Sequence, residues 1–201
     1  MRDCSWILRQ PDRFKNARPD NFKCCSDRTN DRPNNGYNCI AWAVGKTDNW
    51  WWPTDVPGAF WPKGLPKELP DQETLGNFIR AFETEGYSAC ANSRFENGFE
   101  KVGIFVDSRG TPTHAARLLP CGVWTSKMGK YEDIEHRTLQ VVECKEYGEA
   151  KAFLKRPNPS CQETNQPKRL FTRLRWYLRT LFKKCFPTAS NPKKREPKKR
   201  H

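Results

Sequence analysis

Apolar positions along the chain change their period from segment to segment, and the changes mark its elements. Residues 1–36 are polar and rich in Asp, Arg, Asn and Pro, ending in Arg32-Pro33-Asn34-Asn35-Gly36, a turn signal. Residues 1–32 therefore read as an irregular lead-in. Cys39-Ile40-Ala41-Trp42-Ala43-Val44 follows, an apolar run with helix-forming alanines that stops at Gly45, as a short buried helix would. Trp50-Trp51-Trp52-Pro53 and a Pro-rich stretch to Pro70 are too broken for a long helix and too aromatic for a linker, and predict an ordered loop packed over the domain. From Asp71 to Glu85 the residues Leu75, Phe78, Ile79 and Phe82 recur at helical spacing, with Asp71 as the expected N-cap and Gly86 as the stop.

Beyond Gly86 the pattern shortens to strands. Lys101–Asp107 and Thr113–Leu119 predict a hairpin around Ser108-Arg109-Gly110, followed by strands over Val123–Lys127 and Ile134–Val142. Tyr147–Leu154 reads as a closing helix, and Arg156-Pro157-Asn158-Pro159-Ser160 as the start of a linker. Helices first and antiparallel sheet second is the order of an α+β domain. The expected organisation is a domain over 33–157, a linker over 158–167 and a tail over 168–201.

Charge separates the tail from the rest. The chain carries 36 Lys+Arg against 23 Asp+Glu, and residues 168–201 hold 13 of the basic residues with Glu196 as their one acid, leaving 23 basic against 22 acidic before them. Within the tail, Leu170, Phe171, Leu174, Tyr177, Leu178, Leu181 and Phe182 form one stripe at helical spacing, flanked by Arg and Lys. A basic amphipathic helix with a cationic end over Pro192–Arg200 points to an anionic membrane surface or to nucleic acid as partner. The bland alternative is a solubilising tail whose stripe packs back on the domain.

Nine cysteines raise the question of a disulfide scaffold. Their odd number, the chain length and an opening without the apolar run of a signal peptide favour a reducing compartment, hence a cytoplasmic location with membrane association through the tail. No C-x-x-C pair is present and only three histidines occur, which argues against zinc; no cofactor is expected.

Nucleophilic chemistry needs a stabilised thiolate and an imidazole to move its proton. Cys39 would occupy the first turn of a helix, where unpaired N–H groups favour negative charge. Of the histidines, His114 opens a predicted strand, His136 lies one or two strands later, and His201 is in the tail. Cys39 and His114 are the expected reactive pair. Against this stands the plainer reading of Cys39 as a small core residue, of His136 as a hydrogen-bonded edge histidine, of Trp50–Trp52, Phe60 and Trp61 as hydrophobic cover rather than a ligand groove, and of Lys127 as a solvated charge rather than an anion contact.

Chain order and motifs sharpen this picture. Tyr37-Asn38-Cys39-Ile40-Ala41-Trp42-Ala43, Trp50-Trp51-Trp52-Pro53, Thr113-His114-Ala115-Ala116, Trp124-Thr125-Ser126-Lys127-Met128-Gly129 and Asp133-Ile134-Glu135-His136 resemble an uncharacterised, largely bacterial domain family of papain-like type. His114-Ala115 followed by Gly122 and Trp124 is also similar to transglutaminase-like domains. The resemblance covers roughly residues 33–157 and implies a papain-like fold, with helices packed on an antiparallel sheet, and a cysteine hydrolase or acyl transferase acting on an amide, ester or isopeptide bond of a peptide or other amide-containing substrate. Transglutaminase-like domains place an Asp shortly after the Trp, where Ser126 and Lys127 stand here. In cell-wall peptidases of the papain class the catalytic His begins the strand that reads Val102-Gly103-Ile104-Phe105, where Lys101 stands. The third member of the site is thus open among Ser126, Asp133, Glu135 and His136. The competing expectation is a catalytically inactive module recruited by its tail.

Overall fold

The computed structural model describes residues 3–28, 36–67 and 71–158. The expected tail over 168–201 and most of the linker lie outside the described residues. The fold is α+β: a seven-stranded, antiparallel sheet carries a few short helices. In chain order the elements are α1 (Ser5–Leu8), β1 (Phe22–Arg28), α2 (Cys39–Val44), β2 (Trp50–Trp51), β3 (Ala59–Phe60), α3 (Leu75–Glu83), β4 (Ser88–Ala89), β5 (Phe99–Val106), β6 (Pro112–Leu118), β7 (Trp124–Ser126), β8 (Glu132–His136), a 3-10 turn (Leu139–Val141) and β9 (Glu149–Pro157). The sheet runs β1-β8-β7-β6-β5-β9-β4, and β2 pairs β3 in a separate parallel ribbon.

Several expectations shift. The lead-in is ordered in part, because Phe22–Arg28 finds the open edge of β8 and pairs Phe22 with His136 and Cys24 with Ile134. The segment expected as a closing helix is β9, which pairs with β5 from Phe99↔Pro157 to Val106↔Glu149; the ladder along β5 outweighs the helical composition of Glu149–Leu154. Arg156 and Pro157 belong to that strand rather than to a linker. The strand expected over Ile134–Val142 ends at His136 and gives way to the 3-10 turn. Helix α3 starts at Leu75 with Thr74 as N-cap, its hydroxyl accepting the Asn77 N–H at 3.2 Å, rather than at Asp71. Among the described residues no helix is long and apolar enough to cross a membrane.

Side chains alternate across a strand, so the sheet has two distinct faces. Val102, Ile104, Ala115 and Leu154 face α2 and α3, together with Ile40, Ala41, Val44, Phe78 and Phe82. Phe105, Ala116, Leu118, Trp124 and Ile134 face the other way, into a second core closed by Leu139, Val141 and Val142 and by the N-terminal strap, residues 4–17. Trp6 of the strap stacks on Tyr131 at 4.3 Å between centroids, and Phe14 lies 6.5 Å from Tyr147. Cys4 is disulfide-bonded to Cys24, fastening this strap to β1. One bridge is thus formed where the cysteine pattern favoured reduced thiols, because the strap and β1 bring these two within reach.

Candidate functional site

Asn38 ends the loop before α2, and its amide does three jobs. Its Oδ1 accepts the Ala41 N–H at 3.1 Å, capping α2, and the Trp51 N–H at 3.3 Å, while its Nδ2 donates to the Trp51 carbonyl at 2.6 Å. The cap places Cys39 at the first helical position, half-buried at the edge of the first core. At the other end Gly45, at φ 86°, closes α2 in the left-handed region that favours glycine.

The structure does not bring Cys39 and His114 together. In the hairpin Ile104 pairs Ala115 and Phe105 pairs His114, so Ala115 faces α2 and His114 faces the second core. The sheet itself lies between the thiol and the imidazole. His114 instead packs edge-on to Phe105 and stacks on Tyr147 at 4.3 Å.

His114, Ser126 and His136 do meet. Ser126 Oγ lies 3.2 Å from His114 Nε2 and 2.9 Å from His136 Nε2, and His136 Nδ1 is 2.8 Å from the Thr138 carbonyl. A carbonyl only accepts, so His136 carries its proton on Nδ1 and offers the Nε2 lone pair to the Ser126 hydroxyl. Ser126 Oγ then accepts from His114 Nε2–H, and the chain ends at His114 Nδ1, which has no hydrogen-bond partner among the described residues. Burial pushes His136 down to about 4 and His114 down to about 3, the latter helped by the neighbouring His136. Both rings are neutral at neutral pH. All three side chains are buried, and the two contacts of Ser126 tie β6, β7 and β8 together.

Asp133 and Lys127 lie on the α2 face and are fully buried. Lys127 is not the solvated charge its residue type suggests: its ammonium stands 3.9 Å from Asp133 Oδ1, donates to the Gly129 carbonyl and lies 5.0 Å from the centre of the Tyr37 ring. The Tyr37 hydroxyl donates to Asp133 Oδ2 at 3.1 Å. Glu135 pairs with Lys23 at 2.7 Å at the β1 side of the sheet. Cys25, also on this face, is pushed up to about 11 by burial and is a poor thiolate.

The sequence profile of a domain described as a domain of unknown function, DUF7689, matches residues 28–155. The chain belongs to this family. The match spans α2, the β2–β3 ribbon and the sheet from β4 to β8, and stops just short of the end of β9; all but the last residue of β1 and the whole strap precede it. No curated protein and no solved structure matches the chain. Among the described residues no group of His, Cys, Asp or Glu is arranged to hold a metal ion.

The Trp-rich segment was open between cover and groove, and its residues divide. Trp51 is buried, held by Asn38. Trp50 and Trp52 sit half-buried at 5.8 Å from each other, with Trp52 Nε1 donating to Glu73 at 2.6 Å, while Phe60 and Val56 are 38% and 49% exposed.

Proposed function

We propose that this DUF7689 domain is a binding module for apolar peptide segments, with the β2–β3 ribbon as its recognition surface. The observation that supports it is the pairing of exposed apolar side chains with a rigid mount. Phe60, Val56, Trp50 and Trp52 remain solvent-accessible around a ribbon whose backbone Asn38 clamps to the start of α2. Large aromatics held at low entropy cost are the groups that carry binding energy at interfaces. The basic residues of 168–201 would recruit the module to an anionic membrane surface. Screening a peptide library with the purified chain tests the reading. Val56→Asp with Phe60→Ser should abolish selection of apolar peptides while Cys39→Ser leaves it intact, and selection that survives the double change rules the ribbon out.

A second reading keeps the papain-like cysteine hydrolase, and one observation favours it. Cys39 sits half-exposed at the capped start of α2, two residues after Tyr37, whose hydroxyl holds the buried Asp133. The proton acceptor would have to be supplied by a group other than His114 and His136. Competitive alkylation decides: Cys39 labelling faster than Cys121 at neutral pH supports a hydrolase, and equal rates leave Cys39 an ordinary thiol.

A further inference from the structure

Arg117 is a cation with no counter-charge among the described residues. It stands on β6, paired with Val102 and Thr125, and its side chain runs onto the α2 face, where its guanidinium lies 5.4 Å from the centre of the Trp42 ring. The Trp42 indole is itself fixed, donating to Thr125 Oγ1 at 3.2 Å and stacking on Tyr37 at 5.9 Å. Arg117 Nη1 comes to 2.7 Å from the place a Cβ would take at Gly45, so the absence of a side chain there makes room for the guanidinium at the end of α2. Yet Arg117 Nε is buried with no hydrogen-bond partner, and no carboxylate among the described residues pairs with this side chain.

Its neighbours are satisfied. Arg156, whose Nη2 lies 4.0 Å from the same point at Gly45, donates to Glu100, to the Glu85 carbonyl at 3.0 Å and to the Val44 carbonyl at 3.3 Å. Tyr87 also donates to Glu100, at 2.8 Å, and Lys46 pairs with Glu85 at 3.4 Å. Three cations thus meet two carboxylates, and the surplus is Arg117. Capping α2 does not account for it, because Arg156 already takes the Val44 carbonyl.

We infer that Arg117, held on the Trp42 ring, is the receptor for a carboxylate. Arg117 is half-buried, its guanidinium fixed between the Trp42 ring and Gly45, and a planar fork held in this way matches a carboxylate bidentately. A surplus of one positive charge suits a monoanion better than a doubly charged phosphate. A peptide C-terminus and a small organic acid share this chemistry, and the arms below separate them. The site stands on residues distinct from the β2–β3 ribbon and does not depend on the ribbon's role.

The test uses the full chain and the indole N–H signals of its eight tryptophans. Titrate an N-acetylated tripeptide with a free C-terminal carboxylate, the same peptide as its amide, sodium acetate and inorganic phosphate. The Trp42 indole should respond to the peptide acid, and the amide should bind at least about tenfold more weakly, as loss of a charge-assisted hydrogen bond requires. Acetate matching the peptide acid assigns the site to small acids; acetate much weaker assigns it to peptide termini. Arg117→Lys, which keeps the charge and removes the fork, should weaken the response about tenfold, and Arg117→Gln should abolish it with unfolding by urea little changed. Binding that persists in both variants traces to the basic tail and overturns the proposal, as does phosphate bound more tightly than the peptide acid or a Trp42 signal indifferent to every probe.

Discussion

The hydroxyl of Ser126 donates to His136 Nε2 across 2.9 Å inside a core that neither residue shares with water. The geometry is that of a buried polar chain made whole by one proton arrangement, Thr138 to His136 to Ser126 to His114. Adding a proton to either ring replaces an acceptor or lone pair by a second donor and puts a charge where none is hydrated.

Stability should therefore fall in mild acid. Both folded histidines titrate far below the ordinary value near 6.5, at about 4 and about 3, so between these values the unfolded chain binds protons that the folded chain refuses. The stability owed to the neutral pair is complete above about pH 7 and is lost as pH falls, roughly 2 kcal/mol for each histidine by pH 5. Urea unfolding at pH 8, 6.5 and 5 measures the slope. His136→Gln removes one titrating ring and should flatten it by about half; an unchanged slope would assign the acid sensitivity to other groups.

Replacing Asn38 by Ala should cost more than removing an ordinary helix cap. The change deletes the cap of α2, about 1 kcal/mol, and strips partners from the Trp51 backbone, whose buried groups cost about 1–3 kcal/mol when unanswered. Thr74→Ala at the start of α3 supplies the comparison at about 1 kcal/mol. Equal losses in thermal denaturation would mean that the ribbon is held by its aromatic packing alone.

Reducing the Cys4–Cys24 bridge, whose cysteines are 20 residues apart, should lower stability by about 3 kcal/mol through the freedom returned to the unfolded chain. Cys4→Ser should reproduce the loss and make it insensitive to reductant. Protease cleavage between residues 5 and 21 should then precede any cut in the sheet, and simultaneous cutting throughout would show that the strap and the sheet unfold as one.

What was legible in the chain followed from local chemistry. The apolar run over Cys39–Val44 with Gly45 behind it specified α2, and the turn at Ser108-Arg109-Gly110 specified the hairpin of β5 and β6. β1 and β9 were obscured because each is defined by a distant partner: an edge strand with one neighbour needs little apolar signal, and Ala150-Lys151-Ala152 would suit a helix had β5 not offered a ladder. The expected pair of Cys39 and His114 is parted by a parity of one residue. A helix packing closely on a strand needs small side chains, and Ala41 and Ala43 of α2 share a core with Ala115 of β6, which turns His114 to the far face. Counting alternate positions from Ala115 through the hairpin would have found that Ser126 and His136 share the face of His114.

The strap alters how this domain should be cut for expression. Family membership begins at residue 28, but the face of the sheet bearing Phe105, Ala116, Leu118, Trp124 and Ile134 is covered from outside that boundary by Trp6, Ile7, Phe14 and Ala17. A fragment of 28–155 would show water a contiguous apolar surface and lose β1, leaving β8 as a bare edge. The unit defined by kinship is smaller than the unit that covers its own sheet, and the difference is carried by fewer than thirty residues before residue 28.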